Sequence, residues 1–300
     1  MMQRILTALV LIPLVLLLIL RAPGPVLAVV AGIVALLAIR EFLQLMRHYG
    51  VEPFSVATYV FTGIFFTFVA NLAVRSSAPL GTASGLMVIY AGILAGLMPF
   101  VFLALGMKRE SLSSIYPAAT ASVFAFTYIA IPMGMLVGLS RTPMGEFHLV
   151  FLMLVVWSGD IFAYFIGKSF GRHKMSPRFS PKKTWEGAAA SLAASIVFGT
   201  SFYRYSLPIS SWLLKYHLLG SYAYQWNWSE IATWRVVLLS IALNIAAQLG
   251  DLVESAIKRG ADVKDSGSIL PGHGGMLDRI DAMLFAAPVL WLYSTWQFLR

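Results

Sequence analysis

The sequence predicts an all-α, polytopic integral membrane protein with about nine transmembrane helices and a cytoplasmic N-terminus. Of its 300 residues, 59% are hydrophobic and only 12% are charged, whereas soluble domains average roughly 25% charged residues. The apolar residues fall in runs long enough to cross a bilayer. Lysine and arginine are divided unequally between the two sides of these runs, as they are in membrane proteins of fixed topology.

Nine apolar segments are long enough to span. The first follows Arg4 and also has the composition of a signal peptide, but it is interpreted as a helix because no small-residue cleavage site precedes the next segment. Five segments form an N-terminal membrane region, 1–145, and four form a C-terminal membrane region, 146–300, which contains the loops 168–186 and 251–281. The segments are 5–20, 24–46, 54–74, 84–107, 117–138, 147–167, 187–205, 231–250 and 282–299.

The distribution of positive charge predicts the orientation. With this order of segments, 15 of the 22 lysine and arginine residues lie on the side of the membrane that contains the N-terminus. The positive-inside rule therefore places the N-terminus and the loops 168–186 and 251–281 in the cytoplasm. The net charge of +9 is explained by this topology and by anionic lipid, so no nucleic-acid partner is predicted. The absence of cysteine excludes disulfides and thiolate metal sites.

The loop 251–281 concentrates acidic residues. It holds six of the thirteen in the chain. On a helix, Asp251, Glu254 and Lys258 would share one face, and Asp278 and Asp281 would share another. Carboxylate pairs beside the glycine-rich stretch 271–275 and several cations suit Mg²⁺ and phosphate oxygens. A solvated loop between two helices is the other interpretation, and it leaves the spacing unexplained.

Asp160 lies inside the sixth segment, about seven residues or roughly 10 Å from its cytoplasmic end. An aspartate at the centre of a bilayer costs roughly 2.5–3.5 kcal/mol on insertion scales. A hydrogen bond to a neighbouring helix for packing is one explanation. A role in a polar cavity is the interpretation that we favour.

The loop 168–186 is strongly basic, and part of its charge serves as an anchor beside anionic lipid. Thr184 is placed to N-cap the seventh segment, whose positive dipole end would then lie beside Lys182 and Lys183. These parts make an anion site. We expect this loop and the loop 251–281 to converge on one site.

Three blocks carry a resemblance to a known family. The longest covers 27 positions without departure, and the second is Ser180-Pro-Lys-Lys-Thr-x-Glu-Gly187. The third resembles Asp-Thr-x-Ala-Tyr-x-x-Gly, with Ile161 and Phe162 in place of the expected threonine and small residue, so that only Asp160, Ala163, Tyr164 and Gly167 match. Together they resemble the phosphatidate cytidylyltransferases, or CDP-diacylglycerol synthases. The longest block reads Ser255-x-Ile-Lys-Arg-x4-Lys-Asp-x-Gly-x2-Leu-Pro-x-His-Gly-Gly-Met-x-Asp-Arg-Ile-Asp281.

The resemblance implies an activity and partners. The expected reaction transfers CMP from CTP to phosphatidic acid and gives CDP-diacylglycerol and pyrophosphate in phospholipid biosynthesis. The expected location is the bacterial inner membrane, with several passes through the bilayer and the active site on the cytoplasmic side. The expected partners are CTP, phosphatidic acid and the lipid bilayer, and a homodimer is left open.

The resemblance also implies residue roles. The expected cofactor is Mg²⁺, with a second metal ion left open. His273 is expected either to donate to a phosphate oxygen or to make a structural hydrogen bond. The expected metal ligands are Asp251, Asp281, Asp160 and Glu254. The expected catalytic residues are Asp251, Asp278, Asp281, Lys258, Arg279 and His273. The expected substrate-binding residues are Lys182, Lys183, Thr184, Glu186, Arg259, Lys264, Gly274, Gly275 and Tyr164.

Two other functions are compatible with part of the pattern. A CTP-dependent lipid kinase acting on a polyprenol or diacylglycerol would use similar carboxylates, but the complete 255–281 block argues against it. A cation-coupled transporter would explain Asp160 within a span. It would not explain the clustered cations beside the glycine-rich stretch.

Convergence of the two cytoplasmic loops makes a direct prediction. In this cysteine-free chain, a cysteine pair placed near Thr184 and near Gly274 should be joined by a short crosslinking reagent. Mass spectrometry of the digested product would identify the linked peptides. Linkage only by reagents several nanometres long would contradict a single site.

Overall fold

The computed structural model describes residues 2–74, 80–142, 144–219, 231–269 and 274–298. Helices make up most of this chain. In sequence order they are α1 Met2–Arg21, α2 Gly24–His48, α3 Ser55–Val74, α4 Leu80–Gly106, α5 Ile115–Ala125, α6 Ile131–Ser140, α7 Gly145–Phe170, α8 Trp185–Arg204, α9 Ser206–Lys215, α10 Thr233–Gly260 and α11 Leu277–Phe298.

The helical membrane fold is confirmed. Each predicted apolar segment lies largely or wholly within a helical stretch of the described chain. By length and composition, six stretches in that part of the chain are able to cross a membrane. The number of nine spans stays a prediction. The six stretches are Gly24–His48, Ser55–Val74, Gly85–Gly106, Leu112–Ser140, Gly145–Phe170 and Thr233–Gly260.

The chain forms two compact units, and neither is continuous in sequence. The first comprises Met1–Ala8, Pro23–Arg141 and Ile257–Ile280. The second comprises Leu9–Ala22, Thr142–Ala256 and Asp281–Arg300. The acid-rich loop therefore contributes to both units. The assignment of 146–300 as the catalytic region stays a prediction.

In the first unit, small residues let the helices approach closely. A Cβ on Gly32 of α2 would lie 3.0 Å from the ring of Phe66 on α3. One on Gly134 of α6 would lie 2.5 Å from the ring of Phe65. Such contacts are typical of membrane helices. They associate by close packing, because lipid is as apolar as the side chains and the hydrophobic effect does not drive them together. Between α5 and α6, the turn Phe126–Ala130 is a π-helix within a continuous helical run.

In the second unit, a buried polar network joins α7, α8 and α10. The Asn244 amide nitrogen donates to Ser191 Oγ and to Ser195 Oγ, each at 2.8 Å. Ser195 Oγ in turn donates to the carbonyl oxygen of Val155 at 2.7 Å. A Cβ on Gly159 would lie 2.7 Å from the Asn244 amide nitrogen, so glycine makes room for the network. Hydrogen bonding satisfies polar groups that would be costly to bury alone.

The basic loop contains a small β-hairpin that the sequence analysis did not predict. Strand β1, Lys174–Ser176, pairs antiparallel with β2, Ser180–Thr184. Both strands are short and have no alternating apolar pattern, so periodicity gave no signal for them. The second strand leads directly into α8.

Candidate active site

The start of α8 is fixed by its predicted cap. Thr184 is buried and has an extended backbone, and its Oγ1 accepts a hydrogen bond from the Gly187 N–H at 3.2 Å. A Cβ on Gly187 would lie 2.9 Å from the Ala163 carbonyl oxygen of α7. The predicted N-cap is confirmed, and the positive end of the α8 dipole follows directly after Lys182 and Lys183.

Glu186 holds the loop that follows α7. Its carboxylate accepts hydrogen bonds from the backbone N–H groups of Arg172 and His173, each at 3.2 Å. His173 Nδ1 lies 2.6 Å from Glu186 Oε1. The hydrogen bond with the His173 side chain lowers the pKa of the Glu186 carboxyl to about 2. In this arrangement Glu186 orders the hairpin, and its role in substrate binding stays a prediction.

Lys183 connects the basic hairpin to α10. Its ammonium nitrogen lies 2.6 Å from Asp251 Oδ2, and both side chains are partly exposed. Ser255 Oγ, one turn further along α10, donates to Asp251 Oδ1 at 3.3 Å. The structure thus places the ammonium group of Lys183, in the block 180–187, in contact with the carboxylate of Asp251, in the loop 251–281.

Asp251 and Asp281 flank a close approach of α10 and α11. A Cβ on Gly250 would lie only 2.5 Å from the Asp281 carbonyl oxygen. Asp281 is buried, and its Oδ1 accepts a hydrogen bond from the Ala282 N–H at 2.8 Å. Glu254 is buried one turn after Asp251 on α10. Across the described ranges of the chain, no group of three or more histidine, aspartate or glutamate side chains is arranged to hold a metal ion.

A second cluster lies in the first unit, around Asp278. Lys258 Nζ is 2.6 Å from Asp278 Oδ1, with side-chain exposures of 13% and 6%. Asp278 Oδ2 accepts hydrogen bonds from the N–H groups of Gly275 at 2.7 Å and Ser266 at 3.0 Å. Asp278 therefore ties the loop to α11 and to the end of α10. A catalytic role for it remains a prediction.

Glu41 of α2 is the residue that the sequence analysis missed. It is 1% exposed. Its carboxylate accepts hydrogen bonds from Ser266 Oγ at 3.0 Å and from the N–H groups of Met276 at 2.9 Å and Leu277 at 2.8 Å. The available signal was an acidic residue inside the apolar segment 24–46. Its position near the end of that segment made it look like an interfacial charge.

The sequence profile of the cytidylyltransferase family matches residues 2–296 of the chain. The chain belongs to the cytidylyltransferase family. This match extends over both units and confirms the resemblance drawn from the three sequence blocks. It does not favour the lipid kinase or the transporter.

Curated relatives in this family are phosphatidate cytidylyltransferases. The protein of Brucella abortus is 40% identical over 179 residues, which cover 60% of this chain and 57% of the relative. The protein of Bacillus subtilis is 43% identical over 148 residues, 49% of this chain and 47% of the relative. The protein of Rickettsia bellii is 32% identical over 200 residues, 65% of this chain and 78% of the relative. The chain thus spans about half the length of the Brucella and Bacillus relatives.

The remaining predicted residues of the cytidylyltransferase site lie mostly at the protein surface. Asp160 and Tyr164 are exposed on α7, where Lys168 Nζ lies 5.8 Å from the centre of the Tyr164 ring. Gly274 has a φ of +80°, which favours glycine. His273 lies outside the described residues. The other exposed members of the predicted set are Lys182, Arg259, Lys264 and Arg279.

The two ion pairs should differ in their effect on stability. Replacing Lys258 with methionine leaves the 6%-exposed Asp278 carboxylate without its cation, and breaking a buried pair costs about 3–5 kcal/mol. The matched change Lys183→Met leaves Asp251, 39% exposed, with water as a partner and should cost less than about 1 kcal/mol. Thermal unfolding in detergent would compare the two variants with the unmodified protein. Equal losses of stability would contradict the assignment of a buried structural pair.

Proposed function

We propose that this protein is a phosphatidate cytidylyltransferase that converts CTP and phosphatidic acid to CDP-diacylglycerol and pyrophosphate. The contact between Lys183 and Asp251 carries the proposal. This contact joins the lysines before α8 to the acidic residues of the loop 251–281. A reaction between two phosphate compounds needs cations for the phosphates and carboxylates for a metal ion in one place. Family membership and the names of the curated relatives support the same activity.

The reaction places a clear demand on the protein. A phosphate oxygen of phosphatidic acid attacks the α-phosphorus of CTP and forms a new P–O bond. The bond from the α-phosphorus to the oxygen that bridges to the β-phosphorus breaks, and that oxygen leaves with pyrophosphate. The nucleophile is already anionic, so the reaction needs no strong general base. The main requirement is to bring two polyanions together and to stabilise the negative charge of the transition state.

The residues before α8 meet part of this demand. Lys182 and Lys183 directly precede the capping residue Thr184, so they lie beside the positive end of the α8 dipole, which favours anions. Asp251 orients the Lys183 ammonium group at 2.6 Å. Lys182 is exposed and therefore accessible to a phosphate. We assign these lysines to the phosphates, together with Arg259, Lys264 and Arg279.

We assign Mg²⁺ to Asp251 and Asp281, which flank the contact between Gly250 and the Asp281 backbone. Two carboxylates fit this ion, because Mg²⁺ keeps several waters and commonly binds one or two carboxylates plus substrate phosphates. When bound, it would neutralise charge on the phosphates of CTP. The proposal is limited to these two carboxylates, because no group of three or more is arranged to hold a metal ion in the described part of the chain; roles for Asp160 and Glu254 as ligands stay predictions.

We place the reaction on the cytoplasmic side of a bacterial inner membrane. The excess of lysine and arginine on the side of the loops 168–186 and 251–281 supports this orientation. The Brucella, Bacillus and Rickettsia relatives support a bacterial setting. The bilayer supplies phosphatidic acid, the cytoplasm supplies CTP, and the oligomeric state is left open.

Labelled CTP tests the activity. Detergent-solubilised protein is supplied with Mg²⁺, phosphatidic acid and CTP labelled at the α-phosphorus. Label should enter the chloroform phase only when phosphatidic acid is present, pyrophosphate should appear in the aqueous phase, and EDTA should abolish both. Transfer from γ-labelled CTP to an alcohol acceptor, without transfer of the α-label, would replace the proposal with a lipid kinase.

The same assay compares Asp281 with Asp262, another aspartate of the loop 251–281. Asp281→Asn keeps the shape of the side chain but removes a proposed metal-binding charge, so turnover should fall to less than about a tenth. Asp262→Asn makes the same chemical change at an exposed position with a φ of +56°, which asparagine adopts readily. Turnover of that variant should stay above about half of the original rate. A retained rate for Asp281→Asn would remove this residue from the metal site.

A further inference from the structure

We propose that Glu41 is a positioning residue that fixes the signature loop, here its described residues 264–269 and 274–277, in the geometry needed for transfer. The inference rests on the proposed function in so far as that loop serves the reaction. Glu41 lies on α2, and its three hydrogen-bond donors lie 225, 235 and 236 residues later in the chain. All four residues belong to the first unit.

The three donors attach both ends of the signature loop to one carboxylate. Ser266 is near its start, whereas Met276 and Leu277 form its end and the first turn of α11. Glu41 Oε2 accepts from Ser266 Oγ and from the Leu277 N–H, and Oε1 accepts from the Met276 N–H. Glu41 thus acts as an N-terminal cap for α11 supplied by a different helix, and it fixes the two ends of the loop relative to each other.

Two glycines of the loop make room for this carboxylate. A Cβ on Gly267 would lie 2.5 Å from Glu41 Oε1. One on Gly275 would lie 2.4 Å from Glu41 Oε2 and 2.2 Å from Ser266 Oγ. Gly275 is itself buried. Its lack of a side chain therefore serves the contact with Glu41, in addition to the predicted approach of substrate to the backbone.

The same segment of α2 and the same loop form a cavity of about 340 Å³. Gln44, Arg47 and His48 line it from α2, and Asp265 and Ser266 line it from the loop. Ser266 is also a hydrogen-bond donor to Glu41, so a change in the Glu41 contact changes a wall of this cavity. Lys264, a predicted phosphate-binding residue, lies two residues before Ser266, which Glu41 anchors.

A charge is not the least costly way to fill a buried position. Burying a carboxylate requires hydrogen bonds in compensation, and apolar side chains often stabilise such positions equally well. The hydrogen bonds that Glu41 accepts from Ser266, Met276 and Leu277 come from the signature loop and the first turn of α11. The carboxylate therefore specifies the geometry of that loop in a way that an apolar side chain would not.

The test follows loop order and turnover separately. Because the chain contains no cysteine, Ser268→Cys in the exposed part of the loop carries a single nitroxide spin label. Glu41→Gln is then made in this background. The change replaces one acceptor oxygen with an N–H₂ group that faces backbone donors, so at least one anchor contact is lost. Ser122→Ala is the matched control, because it removes a buried hydroxyl that accepts a hydrogen bond from the Phe54 N–H of the same unit, away from the loop.

We expect Glu41→Gln to increase the mobility of the spin label and to lower turnover at least tenfold. Ser122→Ala should show neither effect, although it lowers the melting temperature by a similar amount. An unchanged spectrum in Glu41→Gln, or an equal change in Ser122→Ala, would overturn the proposal. If the original protein makes no CDP-diacylglycerol, the proposed function fails. The spin-label comparison then still decides whether Glu41 fixes the loop.

Discussion

The need to satisfy buried carboxylates is the constraint on which the signature loop depends. Glu41 and Asp278 are both shielded from water, and both obtain hydrogen-bond donors from the segment between α10 and α11. Ser266 serves both, through its hydroxyl to Glu41 and through its N–H to Asp278. A loop rich in glycine has high conformational freedom. These two anchors restrict that freedom at Ser266 and at residues 275–277.

The membrane helices supply the rigidity behind these contacts. In the first unit, glycine and aromatic side chains set the distances between α2, α3 and α6. In the second unit, Asn244 donates to two serines of α8, and one of them donates to α7, so hydrogen bonds link the helices that carry Asp160 and Asp251. Small residues and internal hydrogen bonds suit a medium in which apolar contact gives no preference for protein over lipid. The charged residues at the helix ends are thereby held by elements that have little freedom to shift.

Local patterns in the sequence were the easiest to convert into structure. The apolar runs predicted the helices, and the threonine before the seventh run predicted a cap that the structure contains. The i, i+3 and i+7 spacing placed Asp251, Glu254 and Lys258 on one helix, α10. The cap and the spacing used residues within about two turns of one another, and each apolar run is continuous in sequence, so local helix geometry decides the outcome.

Contacts between distant parts of the chain were much harder to predict. The Lys183–Asp251 pair was expected only as a general meeting of two loops, and spacing gives no partner for either residue. Glu41 was missed because its donors lie more than 200 residues away. Asp278 was assigned to catalysis by the family resemblance, and that role stays a prediction. Its bond to the Gly275 N–H, three residues earlier, becomes visible only once the start of α11 is known.

Hydrogen–deuterium exchange of the unmodified protein tests the central claim, that buried carboxylates hold the signature loop, most directly. The relevant amides are those of Ser266, Gly275, Met276 and Leu277, each of which donates to Glu41 or Asp278. They should exchange at least about a hundredfold more slowly than unstructured amides, because exchange requires the anchors to open. Exchange of these four amides at the rate of an unstructured loop would contradict the account.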